Sequence, residues 1–95
     1  MNSNAVKLNL GSGNSKWGKD NGYINIDIEN FEYVDIVHDI EKTLPFKNET
    51  VDEIFCRHAL EHCSMASVPK MLKDWYLKIS LKILTSMDRN NKIYQ

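Results

Sequence analysis

The chain has 95 residues, a formal net charge of −1, 42% hydrophobic and 26% charged residues, which suits one small domain with a modest core and a thin stability margin. Near-neutral charge excludes a strong electrostatic drive toward nucleic acid or an anionic membrane surface, and no apolar run approaches the roughly 18 residues that span a bilayer. Met1 to Val6 is polar and lacks a secretory core, and two cysteines, Cys56 and Cys63, make no disulfide framework, so a cytoplasmic chain with reduced thiols is expected.

The first periodic stretch is Val6 to Leu10. Val6, Leu8 and Leu10 alternate with Lys7 and Asn9, the period of a strand. It breaks sharply at Gly11-Ser12-Gly13-Asn14-Ser15. Residues 14–22 are polar apart from Trp17. Tyr23 to Ile28 reads as a second strand and Val34 to Ile40 as a third, both rich in β-branched residues. Only residues 11–22 join strands one and two, near the minimum of about a dozen for a parallel crossover, so any helix there is very short or absent. Glu29 to Tyr33 has no room for a crossover helix, so strand three is either short, beginning near Val37, or in a different register.

Thr43 to Asn48 is a turn-rich connection, Val51 to Cys56 a fourth strand, and Arg57 to Cys63 a loop or the start of a helix. The clearest helix spans about 66–80. Val68, Met71, Leu72, Trp75 and Ile79 form one apolar stripe, which makes the Met and Trp core residues. Lys70, Lys73, Asp74 and Lys78 face away, with Asp74–Lys78 a favourable i,i+4 pair. Ser67 is placed to cap the start, and Pro69 sits in the first turn, where its missing N–H does no harm. Leu81 to Thr85 suggests a short fifth strand, and Met87 to Gln95 is polar and expected to fray. Charge is uneven along the chain. Residues 1–63 hold eleven Asp/Glu and six Lys/Arg, and residues 64–95 hold two and six. Solvated faces explain such a split, and a basic tail docking on something acidic is the rival explanation.

A strand running into G-x-G lets the backbone turn tightly and approach a ligand. At the C-terminal edge of a parallel sheet, that is where α/β folds hold nucleotides. By itself the turn reads equally well as a plain loop. Asp27 strengthens the nucleotide reading. It ends strand two, sixteen residues after Gly11, where an acid accepts both ribose hydroxyls of an adenosine. Asp39 ends strand three, where it would meet the exocyclic amine of an adenine. Either acid is also ordinary at a strand end or turn.

Five blocks then occur in order: Lys7 to Asn14, Gly22 to Asp27, Val37 to Phe46, Val51 to Ile54, and His58-Ala59-Leu60-Glu61-His62. Together they resemble the class I S-adenosylmethionine (SAM) dependent methyltransferases, in particular the compact bacterial type 11-like group, over about residues 6–80. The resemblance implies a Rossmann-like α/β three-layer sandwich with a mostly parallel sheet, ordered 3-2-1-4 with a possible fifth strand beside strand four. It implies that SAM is bound by Asn9, Gly11, Ser12, Gly13, Asn14, Asp27, Ile28, Asp39, Ile40 and Leu60. Gly11 and Gly13 would cradle its methionine part, with Asn9 near the amino end. Asp27 would hold the ribose, and Asp39 and Ile40 would flank the adenine. His58, Glu61 and His62 would lie near the transferred methyl, where a His or Glu takes a proton from an acceptor of unknown identity.

The chain departs from the group in having Asn9 where many members have an acid, and Ser15 where they often have a third glycine. After the long helix it lacks the L-K-P-G-G run, and it stops at Gln95. The expectation is therefore a single partial domain, truncated before its acceptor-binding parts. Its exposed sheet edge would favour self-association. Two rivals stand beside methyl transfer. One is a non-catalytic remnant that binds a nucleoside or a partner protein. The other reads His58-x-x-Glu61-His62 as an inverted zinc-protease motif on a helix, with Cys63 as a further thiolate.

Overall fold

The computed structural model describes residues 5–79 and the backbone of Ile93–Tyr94. Its elements are β1 (Lys7–Leu10), α1 (Lys16–Asp20), β2 (Ile24–Asp27), β3 (Ile36–Val37), β4 (Glu53–Cys56), a 3-10 turn (Leu60–His62), α2 (Val68–Lys78) and β5 (Ile93–Tyr94). The strands form one parallel sheet in the order β3-β2-β1-β4-β5, the Rossmann-like order read from the sequence. The fifth strand lies beside β4 as expected, but it is Ile93–Tyr94, inside the segment expected to fray. The segment Leu81 to Thr85 lies outside the described residues.

Paired residues of a parallel sheet share a face, so the register sorts the side chains into two layers. Leu8 aligns with Ile24 and Ile54, and Leu10 with Ile26 and Cys56. Leu8, Leu10, Ile26, Ile54 and Cys56 are fully buried and share one core cluster with Met71, Trp75 and Ile79 from α2 and its end. The stripe predicted for the helix is therefore the stripe that covers the sheet.

The opposite face is polar. Asn9 aligns with Asn25 and Phe55, and Lys7 with Glu53. Asn9 and Asn25 are both buried and are joined by a 3.0 Å hydrogen bond from Asn9 Nδ2 to Asn25 Oδ1. Asn25 Nδ2 donates to the carbonyls of Ser15 and Tyr33, each at 2.8 Å. These bonds are what make two buried amides tolerable, since each would otherwise lose its hydration without replacement. Over the pair lies α1, a single turn capped by Ser15 Oγ, which accepts from Gly18 N at 2.9 Å. A Cβ on Gly18 would collide with Asn25 Oδ1 and lie 2.7 Å from Asn9 Nδ2. Beside α1, Trp17 stacks on Tyr23 at 5.3 Å and meets Phe55 at 5.1 Å, completing the cover of this face with aromatic surface.

The connection from β2 to β3 resolves in favour of a short strand. Residues 28–35 contain no helix, and β3 shrinks from the expected Val34–Ile40 to Ile36–Val37. With too few residues to cross over, the chain is held alongside β2 by local bonds. Asp35 Oδ2 accepts from Asn25 N at 2.8 Å, Asp35 N donates to Asn25 O at 2.8 Å, and His38 N donates to Asp27 O at 2.9 Å.

Two expectations for α2 need correction. Ser67 occupies the cap position in a helical conformation and makes no side-chain cap bond. The chain already turns at Ser64, whose carbonyl accepts from Ser67 N and Val68 N, so the cap site lies inside a preceding turn. Asp74 and Lys78 do not face away. Asp74 Oδ2 accepts from Leu44 N at 3.0 Å, and Lys78 Nζ reaches Asp74 at 3.5 Å and Asn48 Oδ1 at 3.1 Å. Only 7% of Lys78 is exposed. The carbonyls of Leu77 and Lys78 accept from Glu49 N and Val51 N, so the C-terminal turn of α2 is docked on the loop that leads into β4.

The crowding at Gly18 is directly testable. Gly18→Ala should lower the unfolding free energy by about 1–3 kcal/mol, although alanine is the better helix former. Urea denaturation measures this, and an unchanged midpoint would mean that the amide pair yields without cost.

Candidate functional site

The C-terminal ends of β1, β2 and β4 meet at one edge of the sheet. There β1 runs into Gly11 and Gly13, with φ of +63° and +60°, a left-handed backbone that glycine adopts without strain. Ser12 N donates to Ile26 O at 3.1 Å, and Gly13 N donates to Asp27 Oδ2 at 2.7 Å. The glycine turn is thus tied to the end of β2. Asp27 Oδ1 accepts from Glu29 N at 2.9 Å, so one carboxylate holds the turns that follow β1 and β2. Each of its oxygens retains a lone pair for a further donor.

Across the edge, the chain leaving β4 turns at His58, a non-glycine residue with φ of +60°. A Cβ on Gly11 would stand 2.5 Å from Ala59 Cβ. The turn after β1 and the turn after β4 therefore abut, and only glycine fits at position 11.

Two cavities open around this contact, with Gly11 and His58 in the walls of both. The first, of about 480 Å³, is lined by Asn9, Gly11, Ser12, Ser15, Trp17, Phe55, Arg57 and His58. The second, of about 340 Å³, is lined by Gly11, Ile28, His38, Asp39, Ile40, Glu41, His58, Ala59, His62 and Cys63. Their electrostatics differ. Among the described residues the first has no acidic side chain in its wall, and it contains Arg57 and His58. The second combines Asp39 and Glu41 with three imidazoles and the apolar Ile28, Ile40 and Ala59.

Of the residues predicted from sequence, Asn9, Gly11, Ser12 and His58 meet in the first cavity. Gly11, Ile28, Asp39, Ile40, His58 and His62 meet in the second. The others line neither. Gly13 and Asp27 make the tie between the two turns, and Asn14 Oδ1 accepts from Tyr33 N at 2.7 Å. Leu60 is a core residue. Leu60 and Glu61 line a third cavity of about 440 Å³, with Met65, Val68, Pro69 and Leu72. Glu61 Oε1 still lies 3.9 Å from His58 Nδ1. Asp39 sits past the end of the shortened β3 in a turn, where its Oδ1 accepts from Glu41 N at 2.9 Å.

Sequence reasoning missed Ser15, Trp17, Phe55 and Arg57 in the first wall and His38, Glu41, Ala59 and Cys63 in the second. The signal for Phe55 and Arg57 was present. Phe55 alternates onto the same face as Asn9, and Arg57 follows the last residue of a strand whose C-terminal end already pointed to the site.

The inverted zinc-protease motif does not form. His58 stands in a left-handed turn before the 3-10 turn, so His58 and His62 share no α-helical face. Among the described residues no group of three or more His, Cys, Asp or Glu is placed to hold a metal ion.

A parallel sheet in the order 3-2-1-4, with a glycine turn after β1 at the topological switch point, defines a Rossmann-like α/β domain. Within that class, a family model described as a methyltransferase domain matches residues 7–77. The chain belongs to this family, the class I SAM-dependent methyltransferases. No curated protein and no solved structure matches it. No helix of the described residues is long and apolar enough to cross a membrane.

The two thiols are free. Burial, and then the neighbouring Cys63, pushes the Cys56 thiol up from its ordinary 9.0 to about 11. Cys63 is also raised, by burial first and then by Glu41 and Asp39. A raised thiol value means that ionisation is harder in the folded chain than in the unfolded one. Stability from Cys56 is fully present below 9.0 and is lost as pH rises toward about 11. A maleimide should modify Cys63, on the cavity wall, well before the fully buried Cys56, as peptide mass mapping against time would reveal. Equal rates would mean that the core around Cys56 opens as readily as the cavity.

Proposed function

We propose that this chain binds S-adenosylmethionine across the two neighbouring cavities and holds it for methyl transfer. The observation that supports this most directly is the pair of cavities meeting at Gly11 and His58, with the carboxylate of Asp27 fixing the turn between β1 and β2. Each cavity has the size of a small-molecule site, about 300–1,000 Å³. Their chemistry suits the two ends of an adenosyl amino acid. The second offers a flat aromatic base the apolar surface of Ile28 and Ile40 beside the hydrogen-bonding Asp39. The first offers a polar, cationic wall for the amino-acid end.

When bound, S-adenosylmethionine would supply an electrophilic methyl group to an acceptor attacking in line, with the neutral thioether of S-adenosylhomocysteine as the leaving group. The protein's part is chiefly to orient and to exclude water. Gly11 allows the backbone to come close, and the Asp27 tie keeps the glycine turn from moving. His58, common to both walls, is the side chain best placed to take a proton from an acceptor, with Glu61 beside its Nδ1. His62, on the wall of the second cavity, is the other proton acceptor at hand.

Calorimetric titration with S-adenosylhomocysteine tests the reading. The wild-type chain should bind it, and Asp27→Ala, which removes the acceptor for Gly13 N and Glu29 N as well as any ribose contact, should bind at least about tenfold more weakly. Circular dichroism of both proteins reports whether each is folded. A folded wild-type chain that takes up no S-adenosylhomocysteine overturns the proposal.

A further inference from the structure

The first cavity has an unusual charge balance for a site that would receive a zwitterion. Asn9, at its floor, is neutral and 4% exposed. Its Nδ2 is already engaged with Asn25, and among the described residues no Asp or Glu lines the wall. Arg57 does appear there. It is exposed, and it makes no hydrogen bond or ion pair with any of the described residues. Elsewhere in the same region, cations are already matched. Lys16 pairs with Asp20, Lys19 faces Asp35, and Lys7 lies over the Tyr23 ring and donates to Asn21 O.

From these facts we infer that Arg57 binds a carboxylate in the first cavity, and that this carboxylate is the one at the amino-acid end of the cofactor. Arg57 is thereby a specificity-determining residue that selects adenosyl amino acids over adenosyl thioethers lacking the amino-acid group. A guanidinium presents paired N–H donors that match a carboxylate in one plane. With no competing acid among the described wall residues, that charge is available to a ligand. Two backbone N–H groups of the glycine turn are spent, because Ser12 N and Gly13 N bond to β2. The opposite end of the ligand, in the second cavity, is untouched by Arg57.

The inference rests on the cofactor reading above, and the experiment separates the two. S-adenosylhomocysteine and 5′-methylthioadenosine share the adenosyl thioether and differ in the amino-acid group. Each is titrated into the wild-type chain, Arg57→Gln and Arg57→Lys. The wild type should prefer S-adenosylhomocysteine, and the preference should shrink as salt is raised. Arg57→Gln should lose about tenfold in affinity for S-adenosylhomocysteine and nothing for 5′-methylthioadenosine. Arg57→Lys, which keeps the charge, should recover part of the loss. If Arg57→Gln weakens both ligands equally, or neither, the assignment of Arg57 fails while the adenosyl site stands. If the folded wild type binds neither ligand, the cofactor reading fails and this inference with it.

Discussion

Between β1 and β2, on the face of the sheet away from α2, two asparagine side chains meet out of contact with water. A 3.0 Å bond from Asn9 to Asn25 joins them and ties the first two strands together at that level. Hydrophobic packing is tolerant of small slides, whereas a buried amide that slips one position leaves a donor or acceptor unpaired. Asn25 also gathers Ser15, at the start of α1, and Tyr33, in the loop to β3. The glycine turn, the short helix and the β2–β3 loop are therefore referenced to one side chain. The same pair forms the floor of the first cavity, through Asn9.

This arrangement explains how a crossover with few residues covers one face of a parallel sheet. Such sheets usually need helices on both sides and apolar strands throughout. Here the strands alternate, because the second face is closed by an amide pair, a one-turn helix and three aromatic rings rather than by a second apolar layer. Gly18 permits it, since α1 can then lie directly upon the amides. The aromatic group does two jobs, because Trp17 and Phe55 also form the wall of the first cavity.

The other face follows ordinary hydrophobic logic, with one polar addition. Asp74, Lys78 and Asn48 join the end of α2 to the loop before β4. Pairing them is what allows an ammonium group to sit at 7% exposure beside the core. This clamp sets where β4 begins, and β4 in turn delivers Arg57 and His58 to the edge where β1 ends. A contact remote from the cavities thus has a direct influence on their shape.

Local pattern was sufficient to identify the alternating strands, the stripe on α2, the glycine turn and the family, because each of these is a relation among residues close in the chain. The sheet order came with the family resemblance and was met. The shortness of the Glu29–Tyr33 connection left a short β3 as one of two outcomes, since a chain that short cannot cross over, and the fold took that one. Tertiary structure alone decided that Lys78 is buried, that Ser67 makes no cap bond, and that Leu60 and Glu61 face a different cavity from His58 and His62. It alone placed Ser15, Trp17 and Arg57 in one wall, and paired Ile93–Tyr94 with β4. Each of these depends on which distant segment lies opposite a given side chain. Periodicity says which way a residue faces on its own element, but it carries no information about what the fold brings against it.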